Sequence, residues 1–98
     1  EQMKVYQINY DLRKQRNYDE LYKKIKAYGT WRRPLKSCWL IVSEKTAAQI
    51  RDDLSQVMDN DDGLLVTRLN SEAAWRKLDD DKDKATTDWL KKYIGNAS

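Results

Sequence analysis

The sequence contains no histidine and no phenylalanine, and it has one cysteine, one proline and three glycines. Without histidine, the protein cannot use a Ser-His-Asp triad, an imidazole general base or a histidine-ligated zinc site. Cys38 alone can form neither an intrachain disulfide nor a thiolate zinc cluster within one chain. Any catalysis must therefore use carboxylates, tyrosines, lysines or a metal ion held by oxygen ligands.

Long apolar runs are also absent, because no stretch approaches the roughly 20 apolar residues that a membrane span requires. The N-terminus lacks the basic segment and apolar stretch that are typical of a secretion signal. We therefore expect a soluble, cytoplasmic protein with no membrane partner. The chain of 98 residues is long enough for one domain with a single modest core, to which four tryptophans and six tyrosines contribute bulk.

The net charge of +3 is unevenly distributed along the chain. Residues 1–50 contain eleven lysines and arginines against five acidic residues, whereas residues 51–98 contain eight against eleven. A basic N-terminal half suits a polyanionic partner such as nucleic acid, although a surplus of this size is also common on ordinary soluble surfaces.

Residues 4–12 form the first β-rich run, whose branched and aromatic side chains are typical of a half-buried strand. Asp11 lies at the end of this predicted strand. The loop that follows is basic, with Arg13, Lys14 and Arg16. A carboxylate at a strand end beside a basic loop can hold a metal ion or meet a phosphate group. The same pattern is also typical of an ordinary strand, turn and helix cap.

Capping patterns and apolar spacing predict two helices. Asn17 with Glu20 gives the first helix its start and Gly29 is placed to end it, while Thr46 with Gln49 starts the second. The predicted buried faces carry Tyr18, Leu21, Tyr22, Ile25 and Tyr28 in the first helix and Ala47, Ile50, Leu54, Val57 and Met58 in the second. The solvated side of the first helix carries Lys23, Lys24 and Lys26.

Three further strands are predicted, the first ending at about Leu35 because Pro34 favours an edge position. The other two cover residues 37–42, with Cys38 as a small buried side chain, and residues 64–69. The acidic segment 59–62 before the last strand is interpreted as a turn. The order strand, helix, strand, strand, helix, strand predicts an α+β protein, specifically a ferredoxin-like βαββαβ sandwich. Its sheet would leave one face for water, a partner subunit or the C-terminal residues.

Residues 71–98 differ in composition from the predicted ferredoxin-like core of residues 1–70 and are interpreted as a short helical extension of the same domain. A helical turn is predicted at residues 72–78, an acidic connector at 79–83 and a last short helix that opens at Thr86 or Thr87. The aromatic side chains of this extension are Trp75, Trp89 and Tyr93. They either cover the open sheet face of the same chain or bind a protein partner.

Four short motifs together resemble one known family. They are Tyr10-Asp11-Leu12 at the end of the first strand, the basic residues directly after it, Gly29 after the first helix, and Arg33 followed by Lys36-Ser37-Cys38-Trp39. Residues 4–69 are similar at these motifs to the CRISPR-associated protein two family, the small dimeric subunit of the spacer-acquisition complex in antiviral defence. The stand-alone relatives of that family include VapD-type toxin ribonucleases.

The resemblance implies a homodimer in which the strand-end aspartates of two protomers lie close together and hold a divalent metal, expected to be Mg²⁺, for phosphodiester cleavage. Asp11 matches the metal-binding aspartate, and Tyr10 matches the aromatic residue before it, so both are candidate catalytic residues. Two close carboxylates repel each other, and a bound metal relieves that repulsion while it activates water.

We therefore expect a dimeric nucleic-acid-binding protein, with a metal-dependent endoribonuclease or endodeoxyribonuclease activity as a further hypothesis. The candidate phosphate contacts are Arg13, Lys14, Arg16, Arg32 and Arg33. The alternative is a non-catalytic adaptor of the same fold that binds another protein through the aromatic residues of the extension.

Overall fold

A four-stranded antiparallel sheet lies at the centre of the structure, a computed structural model that describes residues 3–14, 18–69, 72–79, 82–94 and 96–97. Its strands are β1 (Lys4–Asp11), β2 (Trp31–Leu35), β3 (Cys38–Ser43) and β4 (Gly63–Leu69). They lie side by side in the order β2-β3-β1-β4, and each neighbouring pair is antiparallel. The protein is therefore an α+β protein, as predicted.

Two helices pack on one face of this sheet, α1 (Asp19–Lys26) between β1 and β2, and α2 (Ala47–Ser55) between β3 and β4. The core between helices and sheet contains Tyr6, Ile8, Tyr10, Tyr18, Leu21, Ile25, Trp39, Ile41, Ile50 and Leu54. The first three alternate along β1, because successive side chains of a strand point to opposite faces. This alternation directs the even-numbered residues of β1 towards the helices.

The helix boundaries follow local capping chemistry. The Thr46 hydroxyl accepts a hydrogen bond from the Gln49 amide while the Gln49 side chain accepts from the Thr46 amide, so the predicted capping box of α2 is confirmed. Helix α1 begins after Tyr18, whose side chain makes no capping bond, and the predicted cap Asn17 lies outside the described residues. Beyond α1, Gly29 has a φ of 93°, which a glycine adopts without strain.

The C-terminal residues cover the other face of the sheet. They form β5 (Glu72–Ala73), a 3-10 turn (Lys82–Lys84), α3 (Ala85–Tyr93) and β6 (Asn96–Ala97), which pairs with β5 in parallel. The second apolar cluster contains Val5, Leu40, Val42, Leu90 and Ile94, with Leu69, Ala73, Trp75, Leu78, Trp89 and Tyr93 packed around it. The three aromatic residues of the extension therefore pack on the sheet of their own chain.

The predicted helical turn at residues 72–78 is wrong. Glu72 and Ala73 pair with β6 instead, and Lys77 has a φ of 52°. A right-handed helical turn needs negative φ at every residue, so the conformation at Lys77 is incompatible with one. The predicted last helix is confirmed, but it begins at Ala85, slightly before the predicted start.

Strand register defines two opposite ends of the domain. At one end β1 finishes, where Asp11 pairs with Gly63, and we call it the Asp11 end. At the other end β1 begins, where Lys4 pairs with Ser43, the last residue of β3, and we call it the Lys4 end. Trp31 opens β2 opposite Ile41 and so lies close to the Lys4 end. Candidate side chains at the two ends are consequently separated by the length of the sheet.

Candidate functional site

Asp11 lies in the last position of β1 with its side chain 75% exposed. Its Oδ2 atom is 3.3 Å from Nε of Arg13, whose side chain is 53% exposed. The carboxylate and the guanidinium therefore meet at the surface. Both groups are accessible to a phosphodiester or to another charged partner.

The acidic turn at residues 59–62 contacts the basic loop that follows β1. The amide of Arg13 donates to Oδ1 of Asp62 over 2.8 Å, and Nη1 of Arg13 donates to the carbonyl of Asp61 over 2.7 Å. The ammonium of Lys14 is 3.7 Å from Oδ2 of Asp61. These contacts reduce the charge with which Arg13 and Lys14 could attract nucleic acid.

The carboxylates of the turn are mostly engaged in holding the turn itself. Oδ2 of Asp62 accepts from the amide of Asp59 over 2.8 Å. The Tyr18 hydroxyl lies 3.0 Å from Oδ1 of Asp62 and 3.2 Å from Oδ2 of Asp59, and it donates to one of them. The predicted turn is thus confirmed, and its acidic side chains form internal hydrogen bonds.

The donor set for Mg²⁺ at the Asp11 end of one chain is small. Over the part of the chain that the structure describes, no three acidic or cysteine side chains come together as metal ligands. Mg²⁺ takes one or two protein carboxylates and keeps several waters. Asp11 offers one carboxylate, and Arg13 already contacts one of its oxygens. One carboxylate is the lower limit of this range, so these residues fit the metal better if a second carboxylate joins Asp11.

Tyr10 lies on the opposite face of β1 from Asp11 and is buried against α1 and α2. Its hydroxyl accepts from the indole N–H of Trp39 over 2.9 Å and donates to the carbonyl of Lys36 over 3.2 Å. Burial raises the pKa of Tyr10, which is consistent with a neutral hydroxyl in the core. The structure thus separates Tyr10 from Asp11 and gives its hydroxyl a role in core hydrogen bonding.

Arg32 and Arg33 do not share a surface. Nε of Arg32 donates to the Thr86 hydroxyl of α3 over 2.9 Å. The guanidinium of Arg33 packs over the rings of Tyr22 and Trp39, at 4.7 and 4.9 Å from their centroids. Adjacent strand residues point to opposite faces, which explains the separation. Arg16, the remaining predicted phosphate contact, lies outside the described residues.

A second charged cluster, which the sequence analysis missed, lies at the Lys4 end around Asp53 of α2. Oδ1 of Asp53 is 2.8 Å from the ammonium of Lys24, while Oδ2 accepts from the Tyr28 hydroxyl over 2.8 Å and lies 4.0 Å from the ammonium of Lys45. The hydrogen bond from Lys24 lowers the pKa of Asp53. Burial and the Asp53 carboxylate together raise the pKa of Tyr28. The group is thus a carboxylate held by two ammonium groups and a neutral hydroxyl.

Two lysines of this region lie over aromatic rings. The ammonium of Lys45 is 5.1 Å from the ring centroid of Tyr28, and that of Lys26 is 5.2 Å from the ring centroid of Trp31. Both rings are partly exposed. A cleft of about 440 Å³ opens beside the Tyr28 ring, lined by Lys24, Ala27, Tyr28, Lys45 and Asp53.

The signal in the sequence for this cluster is weak. Lys24 was predicted on the solvated side of the first helix, but its side chain is only 31% exposed and faces Asp53. The two residues are 29 positions apart, so helical spacing within α1 does not reveal the contact. Knowledge of how α1 and α2 pack is needed to find it.

No model of a known protein family matches this chain, and no solved structure matches it either. The family resemblance therefore depends on the short motifs of the sequence. Within the described residues, no helix combines the length and the apolar character needed to cross a membrane.

Proposed function

We propose that the chain is a nucleic-acid-binding protein with a ferredoxin-like fold. The observation that carries this proposal is the meeting of Asp11 and Arg13 at the exposed end of β1, where the resemblance expects phosphodiester chemistry. The basic surplus of the N-terminal half supports it, because such a surplus attracts a polyanion.

The ferredoxin-like assignment is supported by the strand order β2-β3-β1-β4 and by the packing of α1 and α2 on one face. In this arrangement two split βαβ units interleave, so the first and third strands in the chain become the central pair. The Asp11 end then gathers the loop after β1, the turn between β2 and β3, and the turn before β4. Loops gathered at one end of a rigid sheet are common positions for binding residues.

Metal-dependent cleavage is a further part of the proposal and requires two copies of the chain. A second copy would bring its own Asp11 and so supply the second carboxylate. Mg²⁺ held by the two aspartates would activate water and neutralise phosphate charge. Arg13 would position the phosphate by its guanidinium without reading bases. A homodimer in the cytoplasm is the assembly and location that this proposal predicts.

The adaptor alternative receives less support than nucleic-acid binding. Its motivation was that Trp75, Trp89 and Tyr93 are available to a protein partner. These residues pack around the apolar cluster beneath α3, and the indole N–H of Trp75 donates to the Thr87 hydroxyl over 3.0 Å. Their contacts favour the interpretation in which they cover the sheet of their own chain.

The test is incubation of the purified protein with labelled single- and double-stranded RNA and DNA in Mg²⁺, Mn²⁺ or chelator, with retention and cleavage scored together. Asp11→Asn is compared with Asp52→Asn, which removes the same charge from an exposed position on α2. We expect salt-sensitive retention by all three proteins, and metal-dependent cleavage that Asp11→Asn alone abolishes. Retention without cleavage would support nucleic-acid binding and would contradict metal-dependent cleavage. The absence of retention would refute the proposal.

A further inference from the structure

The two ends of the sheet differ in how their basic side chains are paired. At the Asp11 end, Arg13 and Lys14 contact the acidic turn at residues 59–62. At the Lys4 end, Asp53 is the carboxylate that Lys24 and Lys45 share. The two lysines thus divide one carboxylate between them, and the shorter contact is to Lys24.

A count of nearby charges gives the Lys4 end a positive surplus. Among the described residues, its basic side chains are Lys4, Lys24, Lys26, Lys45 and Arg68, which pairs with Tyr6, and its acidic side chains are Asp53 and Glu44. Three positive charges are therefore left over among these side chains at neutral pH. Because Lys26 and Lys45 are exposed, this surplus is presented to solvent.

The aromatic rings at this end are suitable for stacking. Lys26 and Lys45 lie over partly exposed rings, those of Trp31 and Tyr28 respectively. An exposed cation over a ring is a weak contact, whereas a nucleic-acid base stacked on a ring is generally a stronger one. A base can therefore take the place of the ammonium group over the ring. The displaced lysine would then be free to meet the phosphate next to that base.

The arrangement favours a single strand over a duplex. The bases of a duplex are stacked on one another, so their faces are not available to protein rings. Proteins that bind single strands combine aromatic rings with cationic side chains that follow the backbone. The Lys4 end has two such rings, three positions apart in the chain, and Tyr28 and Lys45 line a cleft of about 440 Å³.

We propose that the Lys4 end is a binding site for single-stranded nucleic acid, in which Tyr28 and Trp31 stack on bases while Lys26 and Lys45 contact phosphates. The Asp53 carboxylate accepts hydrogen bonds from the Lys24 ammonium and the Tyr28 hydroxyl and so holds both side chains in place. This inference rests on the proposed nucleic-acid function. It adds a second contact region for the strand, at the end of the sheet opposite Asp11 and Arg13.

The test compares two double variants that each lose two positive charges. Lys26→Gln with Lys45→Gln changes the proposed site. Lys23→Gln with Lys91→Gln is the control, because Lys23 pairs with Glu20 on α1 and Lys91 is exposed on α3. Binding of a fluorescein-labelled single strand of about 12 nucleotides, within the usual site sizes, is measured by fluorescence anisotropy across a salt series.

We expect the site variant to bind about tenfold more weakly than the wild type at 0.1 M salt, and the control to stay within about twofold. The plot of log K against log salt concentration has a negative slope, and the site variant should make this slope shallower by about 1.4. Each phosphate contact with a single strand contributes about 0.7, and the variant loses two contacts. Equal losses in the two variants would show that net charge alone matters and would overturn the site.

A second arm changes the ligand and leaves the protein intact. A strand of equal length without bases, and a duplex of equal length, should each bind more weakly than the normal single strand. Equal binding of the base-free strand would overturn the stacking role of Tyr28 and Trp31.

The failure of this inference can be told apart from the failure of the proposed function. If the wild type binds and Lys14→Gln weakens binding while the Lys26/Lys45 variant does not, the strand lies at the Asp11 end. The proposed function would then stand without this site. If the wild type retains no nucleic acid at low salt, both are overturned.

Discussion

The amide of Arg13 donates to the Asp62 carboxylate over 2.8 Å, which joins the loop after β1 to the turn before β4 across 49 positions of sequence. The same carboxylate accepts from the amide of Asp59 and lies within hydrogen-bond distance of the Tyr18 hydroxyl. One side chain therefore holds together the loop, the turn and the start of α1. The conformation of the Asp11 end depends on it.

Asp62→Ala should lower the free energy of unfolding by about 1 to 3 kcal/mol, because the amides of Arg13 and Asp59 lose their acceptor and the Tyr18 hydroxyl is left with the Asp59 carboxylate. Urea unfolding followed by tryptophan fluorescence measures the change. Asp61→Ala is the control, since the Asp61 carboxylate makes an exposed ion pair with Lys14, and it should cost less than about 1 kcal/mol. Equal costs would contradict the role given to Asp62.

Tyr10→Phe should lower the free energy of unfolding by about 1 to 3 kcal/mol, because the indole N–H of buried Trp39 loses its acceptor. Tyr93→Phe, at a partly buried ring of α3, should have a smaller effect. We expect Tyr10→Phe to retain nucleic-acid binding and any cleavage, since the hydroxyl lies in the core and not beside Asp11. A stable variant with abolished cleavage would instead support the catalytic role predicted for Tyr10.

The network around Asp53 makes stability depend on pH in a definite direction. The pKa of Asp53 is lowered in the folded protein, chiefly by the hydrogen bond from Lys24, so the ionised carboxylate stabilises the fold. This contribution is fully present above the unfolded pKa of about 3.9 and is lost as the pH falls through the lower folded value.

Asp53→Asn should therefore unfold at a lower temperature than the wild type at pH 7, with a loss of about 1 to 2 kcal/mol. The difference in melting temperature should shrink as the pH falls below about 4. Asp52→Asn, at an exposed neighbouring position that pairs with Arg51, is the matched control. A difference between wild type and Asp53→Asn that is constant from pH 7 to pH 3 would contradict this assignment.

Ile94→Ala should cost about 2 to 5 kcal/mol, because Ile94 is only 1% exposed beneath the sheet. Leu35→Ala is the control, since Leu35 is 46% exposed and should change stability by no more than about 0.5 kcal/mol.

Deletion of residues 71–98 should expose the face that contains Val5, Leu40 and Val42, and so abolish cooperative unfolding. A deletion variant that folds and is monomeric would show that the C-terminal segment is dispensable for the fold.

Local patterns in the sequence predicted much of the fold. The branched and aromatic side chains of residues 4–12 identified β1, and the pairing of Thr46 with Gln49 identified the start of α2, because both signals are local in the chain. The helical turn predicted at residues 72–78 was wrong because the conformation of these residues depends on a contact with a distant part of the chain. There the parallel pairing with residues 96–97 determines the backbone, and no local pattern reveals that pairing.

The candidate site was predictable only in part, for similar reasons. Asp11 and Arg13 are two positions apart, so their meeting at a strand end follows from the local sequence. The contact of Arg13 with the acidic turn spans almost half the chain. The separation of Arg32 from Arg33 could have been predicted, because adjacent strand residues face opposite ways.

The most direct test of nucleic-acid binding is an NMR titration of the ¹⁵N-labelled protein with a single-stranded RNA of about 12 nucleotides at low salt. The indole N–H signals report on both faces of the sheet, because Trp31 and Trp39 lie in the core beneath the helices and Trp75 and Trp89 lie in the cluster on the other face. We predict that the Trp31 indole signal and the amide signals of Tyr28 and Lys45 shift, while the Trp75 indole signal beneath the C-terminal cover does not. An unchanged spectrum at excess RNA, and at an excess of a DNA strand of the same length, would contradict the proposed function.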